Sequence, residues 1–301
     1  MSFHRMFWII LVATVILILT ISSWKLWRLV MPFDYTATYN YEAQSAMLGP
    51  EEIYRYFHWT NSTSCLLSVD FGFYVAMGVH IAAPDGHKAV CLDQFIAPVY
   101  NNCLVYSFGI NNQWTFDDAM AQFGCQVYSF DPSMGVGDYD RSQQIHFYSL
   151  GLSGRDEVHP STKWKMKTAW SIYQMLAPRH GVSTLIDVLK MDIEFYEWDA
   201  IPQMLRSGFL ADKVKQLAVE IHFNANDTLE TFKRYASILQ DVESTGQFVR
   251  FSSRPNPGLK AAVSILKDKE EYIGLELAWY NSRFYYSIDN NQSKTRFFPY
   301  F

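Results

Sequence analysis

VYSFGINNQWTFDDAMAQFGCQVYSFDPS, residues 105–133, indicates the fold more clearly than any other segment of the chain. A short apolar run over residues 104–108 has the β-branched and aromatic character of a strand, and it stops at Gly109. Glycine has no Cβ, so the backbone there can turn sharply or let a ligand approach closely. The stretch therefore predicts a strand that ends in a tight turn.

A helix and a second strand follow this turn. Thr115 with Asp118 resembles a capping box, and apolar residues recur at helical spacing until Gly124. The second strand, residues 126–130, ends in Asp131, about twenty residues beyond the glycine turn, which is the spacing at which an acid meets ribose hydroxyls in doubly wound folds. The ordered set predicts one half of a nucleotide-cofactor site.

Acidic residues follow a second apolar strand, residues 185–191. Asp192 lies at the strand end, with Glu194 and Glu197 close behind. Ligands in open α/β sheets bind at the carboxyl ends of strands, so we expect a base, a metal ligand or a hydrogen-bond acceptor here. For Glu197 the alternative is the solvated first turn of the next helix, where acids favour the helix dipole.

A third strand, residues 216–221, brings Glu220 and His222 to the same predicted edge. Asp192 is the first candidate for a catalytic base or metal ligand, and His222 is the second. Glu194 and Glu220 are expected to orient an acceptor or to join Asp192 around a divalent cation, because carboxylate clusters suit hard, oxygen-seeking ions.

Two segments resemble a known family. Residues 107–113 are similar to the first cofactor motif of FkbM-type S-adenosylmethionine-dependent methyltransferases, and residues 190–197 resemble their later acidic motif. Residues 91–93, 103–109 and 127–132 resemble the animal membrane-anchored methyltransferase-like proteins still more closely. The resemblance extends over roughly residues 90–255.

The resemblance implies a Rossmann-like α/β fold with about seven mostly parallel strands and helices on both faces. It implies that S-adenosylmethionine lies over Gly109, contacted by Ser107, Asn111 and Asp192, with its ribose held by Asp131. It also implies methyl transfer to an oxygen of a hydroxylated small molecule or glycan.

Three positions depart from the family pattern, namely Ser107, Gln113 and Phe195. A catalytically inactive methyltransferase-like binding or scaffold protein is therefore one alternative. A glycosyltransferase is another, since residues 138–140 form an Asp-x-Asp motif in a polar loop.

The N-terminus predicts a membrane anchor. Residues 7–21 carry no charge and, extended to residue 24, give about 18 helical residues, or roughly 27 Å, enough to cross a hydrocarbon core. A cleaved signal peptide is the competing interpretation. The expected organisation is a short tail (1–5), a transmembrane helix (6–24), a stem with an N-terminal helix (25–60) and the methyltransferase-like domain (61–301).

Cysteines and glycosylation sequons favour the secretory lumen, which makes this a type II protein of the Golgi or endoplasmic reticulum. Two disulfides are expected among the four cysteines, with three pairings open, and four reduced thiols are the alternative. The cysteines are Cys65, Cys91, Cys103 and Cys125. The sequons begin at Asn61, Asn226 and Asn291. The positive-inside rule itself almost ties.

The remaining pattern completes the α/β alternation. A helix over residues 168–176 is expected to end before Pro178, and residues 272–278 with 283–288 are expected to form a final antiparallel pair. A net charge of −5 and a pI near 5.9 show no basic footprint, so nucleic acid is not an expected partner.

Overall fold

A computed structural model describes residues 48–77 and 82–286. The helices in this part of the chain are α1 (Pro50–His58), α2 (Thr115–Gln122), α3 (Ala169–His180), α4 (Glu197–Arg206), α5 (Phe209–Lys213), α6 (Leu229–Ser244) and α7 (Ser282–Tyr286). The strands are β1 (Ser68–Phe71), β2 (Tyr74–Met77), β3 (Ala82–Asp85), β4 (Lys88–Cys91), β5 (Cys103–Phe108), β6 (Cys125–Phe130), β7 (Tyr139–Asp140), β8 (Ile145–Tyr148), β9 (Gly151–Leu152), β10 (Glu157–Val158), β11 (Lys165–Lys167), β12 (Ile186–Met191), β13 (Val214–His222), β14 (Phe248–Pro255), β15 (Lys260–Val263), β16 (Lys269–Tyr272) and β17 (Gly274–Asn281).

The central sheet has eight strands in the order β14-β17-β13-β12-β5-β6-β8-β7. The five strands from β13 to β8 are parallel. Strand β17 is antiparallel to both of its neighbours, and β7 is antiparallel to β8. The predicted α/β architecture with a mostly parallel sheet is confirmed, with eight strands instead of about seven.

Both faces of the sheet are covered, because side chains alternate along each strand. In β5, Leu104, Tyr106 and Phe108 belong to the larger core, which also holds residues of α1, α3, α4 and α6. Cys103 and Val105 point to the other face, into a smaller core with residues of α2. The helices therefore hold the carboxyl ends of β5, β6, β12 and β13 at one common edge.

Helix α1 packs into the larger core. Pro50 occupies its first turn, as the sequence predicts, and Ile53, Tyr54 and Phe57 are buried. The guanidinium of Arg250, which is 1% exposed, donates to backbone carbonyl groups at the end of this helix, including that of Tyr56 at 2.9 Å. These contacts join the last part of the predicted stem region to strand β14 of the central sheet.

Two disulfides are present, as predicted, and the fold selects their pairing. Cys103 and Cys125 are register partners at the start of β5 and β6, and their sulfur atoms are bonded. Cys65 pairs with Cys91 of β4.

The start of α2 and the end of α3 differ from expectation. Trp114 is the N-cap of α2 and makes no side-chain cap, so the predicted capping box is not formed; Thr115 is already helical. Helix α3 continues through Pro178 to His180. Proline lacks one N–H, and in the last turn this costs a single helical hydrogen bond, which does not stop the helix.

The predicted final antiparallel pair is also different. Strand β17 pairs with β13 and β14, and the residues after it form α7. The sheet thus places a later strand between two earlier ones, an arrangement that local sequence does not specify.

No helix among residues 48–77 and 82–286 is long and apolar enough to cross a membrane. The predicted transmembrane helix at residues 6–24 lies outside this part of the chain.

Candidate active site

A cavity of about 530 Å³ opens at the carboxyl ends of the parallel strands. It brings together most of the residues that the sequence singles out. The predicted site residues that line it are Gly109, Asn111, Asp131, Asp192, Glu194, Glu220 and His222. Ser107 and Glu197 are buried behind the cavity wall and do not line it.

Gly109 makes the turn after β5 with a φ of +76°. Its neighbour in space is the backbone of Asp192, whose amide donates to the carbonyl of Phe108 at 3.1 Å. Lys190 crosses from β12 and donates through Nζ to the carbonyl oxygens of Phe108 (3.0 Å) and Gly109 (2.6 Å). The group that approaches Gly109 closely is therefore the backbone of Asp192, and this contact joins the two motifs.

Asp131 is fixed by hydrogen bonds on both carboxylate oxygens. Its Oδ1 accepts from the amide (2.7 Å) and the hydroxyl (2.6 Å) of Ser133. Its Oδ2 accepts from the amide of Asn111 at 2.7 Å. A carboxylate oxygen has room for two donors, so Oδ2 keeps one acceptor position.

Ser107 faces away from the cavity. Its hydroxyl donates to Asp117 of α2 at 3.2 Å, and Ser129 of β6 donates to the same carboxyl group at 2.5 Å. Burial raises the pKa of Asp117 to about 6, against the opposing effects of Lys190 and the two hydroxyls. Ser107 thus joins α2 to the sheet next to the turn at Gly109.

Lys88 lies at the centre of an acidic cluster. It comes from β4 and is 1% exposed. Its Nζ lies 2.5 Å from Glu276 Oε1, 3.5 Å from Glu220 Oε2 and 3.6 Å from Asp192 Oδ2. Burial lowers the pKa of Lys88, but the three carboxylates outweigh it and raise the pKa above its usual value. The ammonium group therefore stays charged inside the protein.

Asp192 lies close to three positively charged side chains. Burial raises the pKa of Asp192, but the positive charges of Lys88, Lys190 and His222 outweigh it and hold the pKa below its usual range. At neutral pH Asp192 is consequently a carboxylate.

Glu197 and His222 form a buried pair. Glu197 Oε1 accepts from the backbone amide of His222 at 2.7 Å and from its Nδ1 at 3.0 Å. A carboxylate only accepts, so Nδ1 carries a proton and Nε2 faces the cavity. Burial lowers the pKa of His222, but this hydrogen bond and the charges of Glu197, Glu220 and Asp192 outweigh it and raise the pKa to about 9. Glu197 therefore positions His222 and is not placed to contact an acceptor.

Sequence reasoning missed three residues of this cluster, namely Lys88, Asn256 and Glu276. Asn256 donates to Glu220 Oε1 at 2.8 Å. Glu276 carried a usable signal, because it is a charged residue inside an apolar strand. Lys88 and Asn256 carried none, since both reach the cluster from segments distant in sequence.

The Asp-x-Asp motif has other partners. Asp138 accepts from the amide of Ser149 at 2.8 Å, and Asp140 lies 2.5 Å from His146 Nδ1. Neither residue lines the cavity. The motif serves the β7–β8 edge of the sheet in this structure.

The chain is similar to known methyltransferase proteins. A family model described as a methyltransferase domain matches residues 58–266. The "Probable methyltransferase-like protein 24" of Rattus norvegicus is 27% identical over 69% of this chain, and the protein of that name in Homo sapiens is 25% identical over 80%. The matched regions cover 61% of the rat protein's length and 68% of the human protein's.

Two solved structures show a weaker likeness. The crystal structure of methyltransferase FkbM from Methylobacillus flagellatus aligns with a TM-score of 0.40 and 11% identity, covering 62% of this chain and 46% of that one. A SAM-dependent methyltransferase from Agrobacterium tumefaciens aligns with a TM-score of 0.34 and 11% identity, covering 70% of each chain. Likenesses of this size support no argument about the site.

Proposed function

The chain belongs to the methyltransferase-domain family, as the match over residues 58–266 shows, and on that premise we propose that it is an S-adenosylmethionine-dependent O-methyltransferase. The proposed acceptor is a hydroxylated small molecule or glycan. One observation carries the proposal: the fixed carboxylate of Asp131 and the cluster of Asp192, Glu220 and His222 line the same cavity. A donor site and an acid–base site in one cavity are what group transfer requires.

The residues present fit the cofactor. Asp131 is held rigidly by Asn111 and Ser133 and keeps an acceptor position on Oδ2, which suits a ribose hydroxyl. Apolar side chains line the neighbouring part of the cavity and suit an adenine ring; they are Leu150, Leu152 and Met166. When bound, S-adenosylmethionine supplies a methyl group on a positively charged sulfur.

The chain's own residues then orient the acceptor and receive its proton. The carboxylate of Asp192 is ionised at neutral pH, so it accepts a hydrogen bond from the acceptor hydroxyl and takes the proton as the oxygen forms its new bond. His222 is held by Glu197 with Nε2 toward the same space. Glu194 lies at the open side of the cavity, with its side chain 75% exposed. Besides the cofactor, the sequence predicts that a divalent cation can bind to this cluster of carboxylates.

Calorimetric titration of the full chain, purified in detergent, with S-adenosylmethionine and S-adenosylhomocysteine tests the cofactor site. We expect micromolar binding that Asp131→Ala weakens at least about tenfold, because one charge-assisted hydrogen bond is worth about 1.5–3 kcal/mol. Asp199→Ala, the same substitution at an exposed position of α4, is the control. No binding to a folded chain would favour the scaffold or glycosyltransferase alternative.

Asp192→Asn separates the chemistry from cofactor binding. The amide keeps the shape of the side chain but is a poor proton acceptor, so turnover should be lost while affinity for S-adenosylmethionine stays within about threefold. If turnover and affinity fell together, Asp192 would belong to the cofactor site instead.

For location, we propose a single-pass type II membrane protein with its catalytic domain in the Golgi or endoplasmic reticulum lumen. Two features support it: both disulfides are formed, and the sequon residue Asn226 is exposed. Glycosidase treatment of the chain expressed in animal cells should lower its apparent mass, and Asn226→Gln should remove part of that change. A chain that carries no glycan and is digested by protease added outside intact microsomes would contradict this location.

A further inference from the structure

The Nε2 atom of His222 has an unusual environment. The residue is 5% exposed, and its other ring nitrogen is held by Glu197. Among the described residues none makes a hydrogen bond to Nε2. Three carboxylate oxygens surround it at longer distances: Glu194 Oε2 at 3.7 Å, Glu220 Oε1 at 3.8 Å and Asp192 Oδ1 at 3.9 Å. A buried nitrogen facing several oxygens at this separation leaves room for a small ion between them.

Lys88 orients two of these carboxylates from behind. It lies near Asp192 Oδ2 and Glu220 Oε2, which are the oxygens that do not face His222. Their other oxygens are therefore presented to Nε2. Glu276 is the third acid on Lys88, at 2.5 Å. With Glu194 added, four carboxyl groups lie close to the positive charges of Lys88, Lys190 and His222, and a divalent ion at Nε2 would take the place of the His222 proton.

We infer that Asp192, Glu194 and His222 bind a divalent metal ion, with Mn²⁺ the ion that best fits the donors. The ligand atoms of these three residues lie within 4.8 Å of one another. An ion at about 2.0–2.5 Å from each atom can bridge them. Two carboxylates and one imidazole suit a metal between the hard and the nitrogen-preferring ions. Three protein ligands also leave coordination positions open.

Glu197 would hold the histidine ligand of this site in place. A metal-bound histidine commonly donates its second N–H to a carboxylate, which fixes the ring and raises its basicity as a ligand. The hydrogen bond from His222 Nδ1 to Glu197 Oε1 has this form. The buried Glu197 carboxylate is therefore a positioning residue.

The role of the ion in catalysis rests on the proposed methyl transfer. In an open coordination position the ion would bind the acceptor hydroxyl and ease loss of its proton to a neighbouring carboxylate. An acceptor with two adjacent hydroxyl groups, such as a sugar or a catechol, occupies two positions and is the class that this site favours.

Mn²⁺ binding by the full chain, measured without S-adenosylmethionine, tests the site independently of the methyltransferase activity. Titration followed by electron paramagnetic resonance should show one Mn²⁺ site. Pulsed electron paramagnetic resonance of the bound Mn²⁺ should detect the nitrogen of His222, and His222→Gln should remove that nitrogen signal. Glu194→Gln should weaken binding at least about tenfold, and Glu197→Gln by about 10- to 100-fold.

Glu230→Gln, at an exposed position of α6, is the matched control and should bind like the wild type. Glu194 is mostly exposed, so its variant tests the site even if His222→Gln does not fold. Binding of Mn²⁺, Zn²⁺ and Ca²⁺ that is weaker than about 1 mM would overturn the inference. So would a nitrogen signal or an affinity that these variants leave unchanged. The S-adenosylmethionine titration stands or fails separately.

Discussion

The carbonyl oxygen of Asp192 lies 1.6 Å from the point where a Cβ on Gly109 would be. The backbone of one motif therefore packs directly on the turn of the other. Hydrogen bonds from Asp192 to Phe108 and from Lys190 to Gly109 keep the two segments together. Any side chain at position 109 must separate the ends of β5 and β12.

Gly109→Ala should destabilise the domain by about 2–5 kcal/mol, since left-handed backbone strain adds to an overpacking clash. The opposing group is backbone, which cannot move without breaking its hydrogen bonds. Thermal unfolding measures the effect. Gly137→Ala is the matched control, because nothing lies within 4 Å of a Cβ there. Equal melting temperatures for the two variants would show that the turn can relax.

The Asp117 carboxyl group should make stability depend on pH. Its pKa of about 6 in the folded protein exceeds the usual 3.8, so the folded state binds more protons than the unfolded state between these values. Stability from this group is therefore full below about pH 4 and is lost as the pH rises through about 6, a change of about 3 kcal/mol.

Asp117→Asn removes this titration, so the variant should gain about 3 kcal/mol relative to the wild type between about pH 4 and 7. Urea unfolding at a series of pH values measures the difference. Asp118→Asn, at the neighbouring residue with its side chain 41% exposed, is the control. If the free energies of unfolding of the wild type and the Asp117 variant differed by the same amount at every pH, the proton would not be bound at Asp117.

Lys88→Met should lower the melting temperature by about 10 °C, because removing one partner of a buried ion pair leaves uncompensated charge and costs about 3–5 kcal/mol. Glu276 is the partner at 2.5 Å. Adding Glu276→Gln should recover part of the loss, and differential scanning calorimetry of the four proteins of this cycle gives the coupling. Strictly additive effects would mean that Lys88 acts through Glu220 and Asp192 instead.

Much of the fold follows from local sequence. The apolar runs of β5, β6, β12 and β13 and the start of α1 are where periodicity predicts them. Such patterns are readable because helix and strand formation depends on residues a few positions apart. The predicted end of α3 and the predicted partner of β17 were wrong. Packing determines whether a helix continues past a proline in its last turn and whether a strand inserts between two earlier ones.

The candidate site divides in the same way. Asp131 and Asp192 were found because each follows a predicted strand directly, and parallel strands end at one edge. Ser107 and Glu197 were expected at the cofactor or acceptor, yet both are buried and bonded to neighbours. A shift of one residue along a strand or helix moves a side chain to the other face of that element. The sequence pattern does not fix this register closely enough to say which side chains face the cavity.

Short-range sterics and periodicity are enough to predict the order of strands and helices, the glycine turn and the acids at the strand ends. Long-range packing, by contrast, determines that Cys103 bonds Cys125, that Lys88 enters the acidic cluster and that Glu197 holds His222. These pairs meet through sheet register and crossover connections. Their partners lie 22 to 188 residues apart in the chain, where local propensity carries no information.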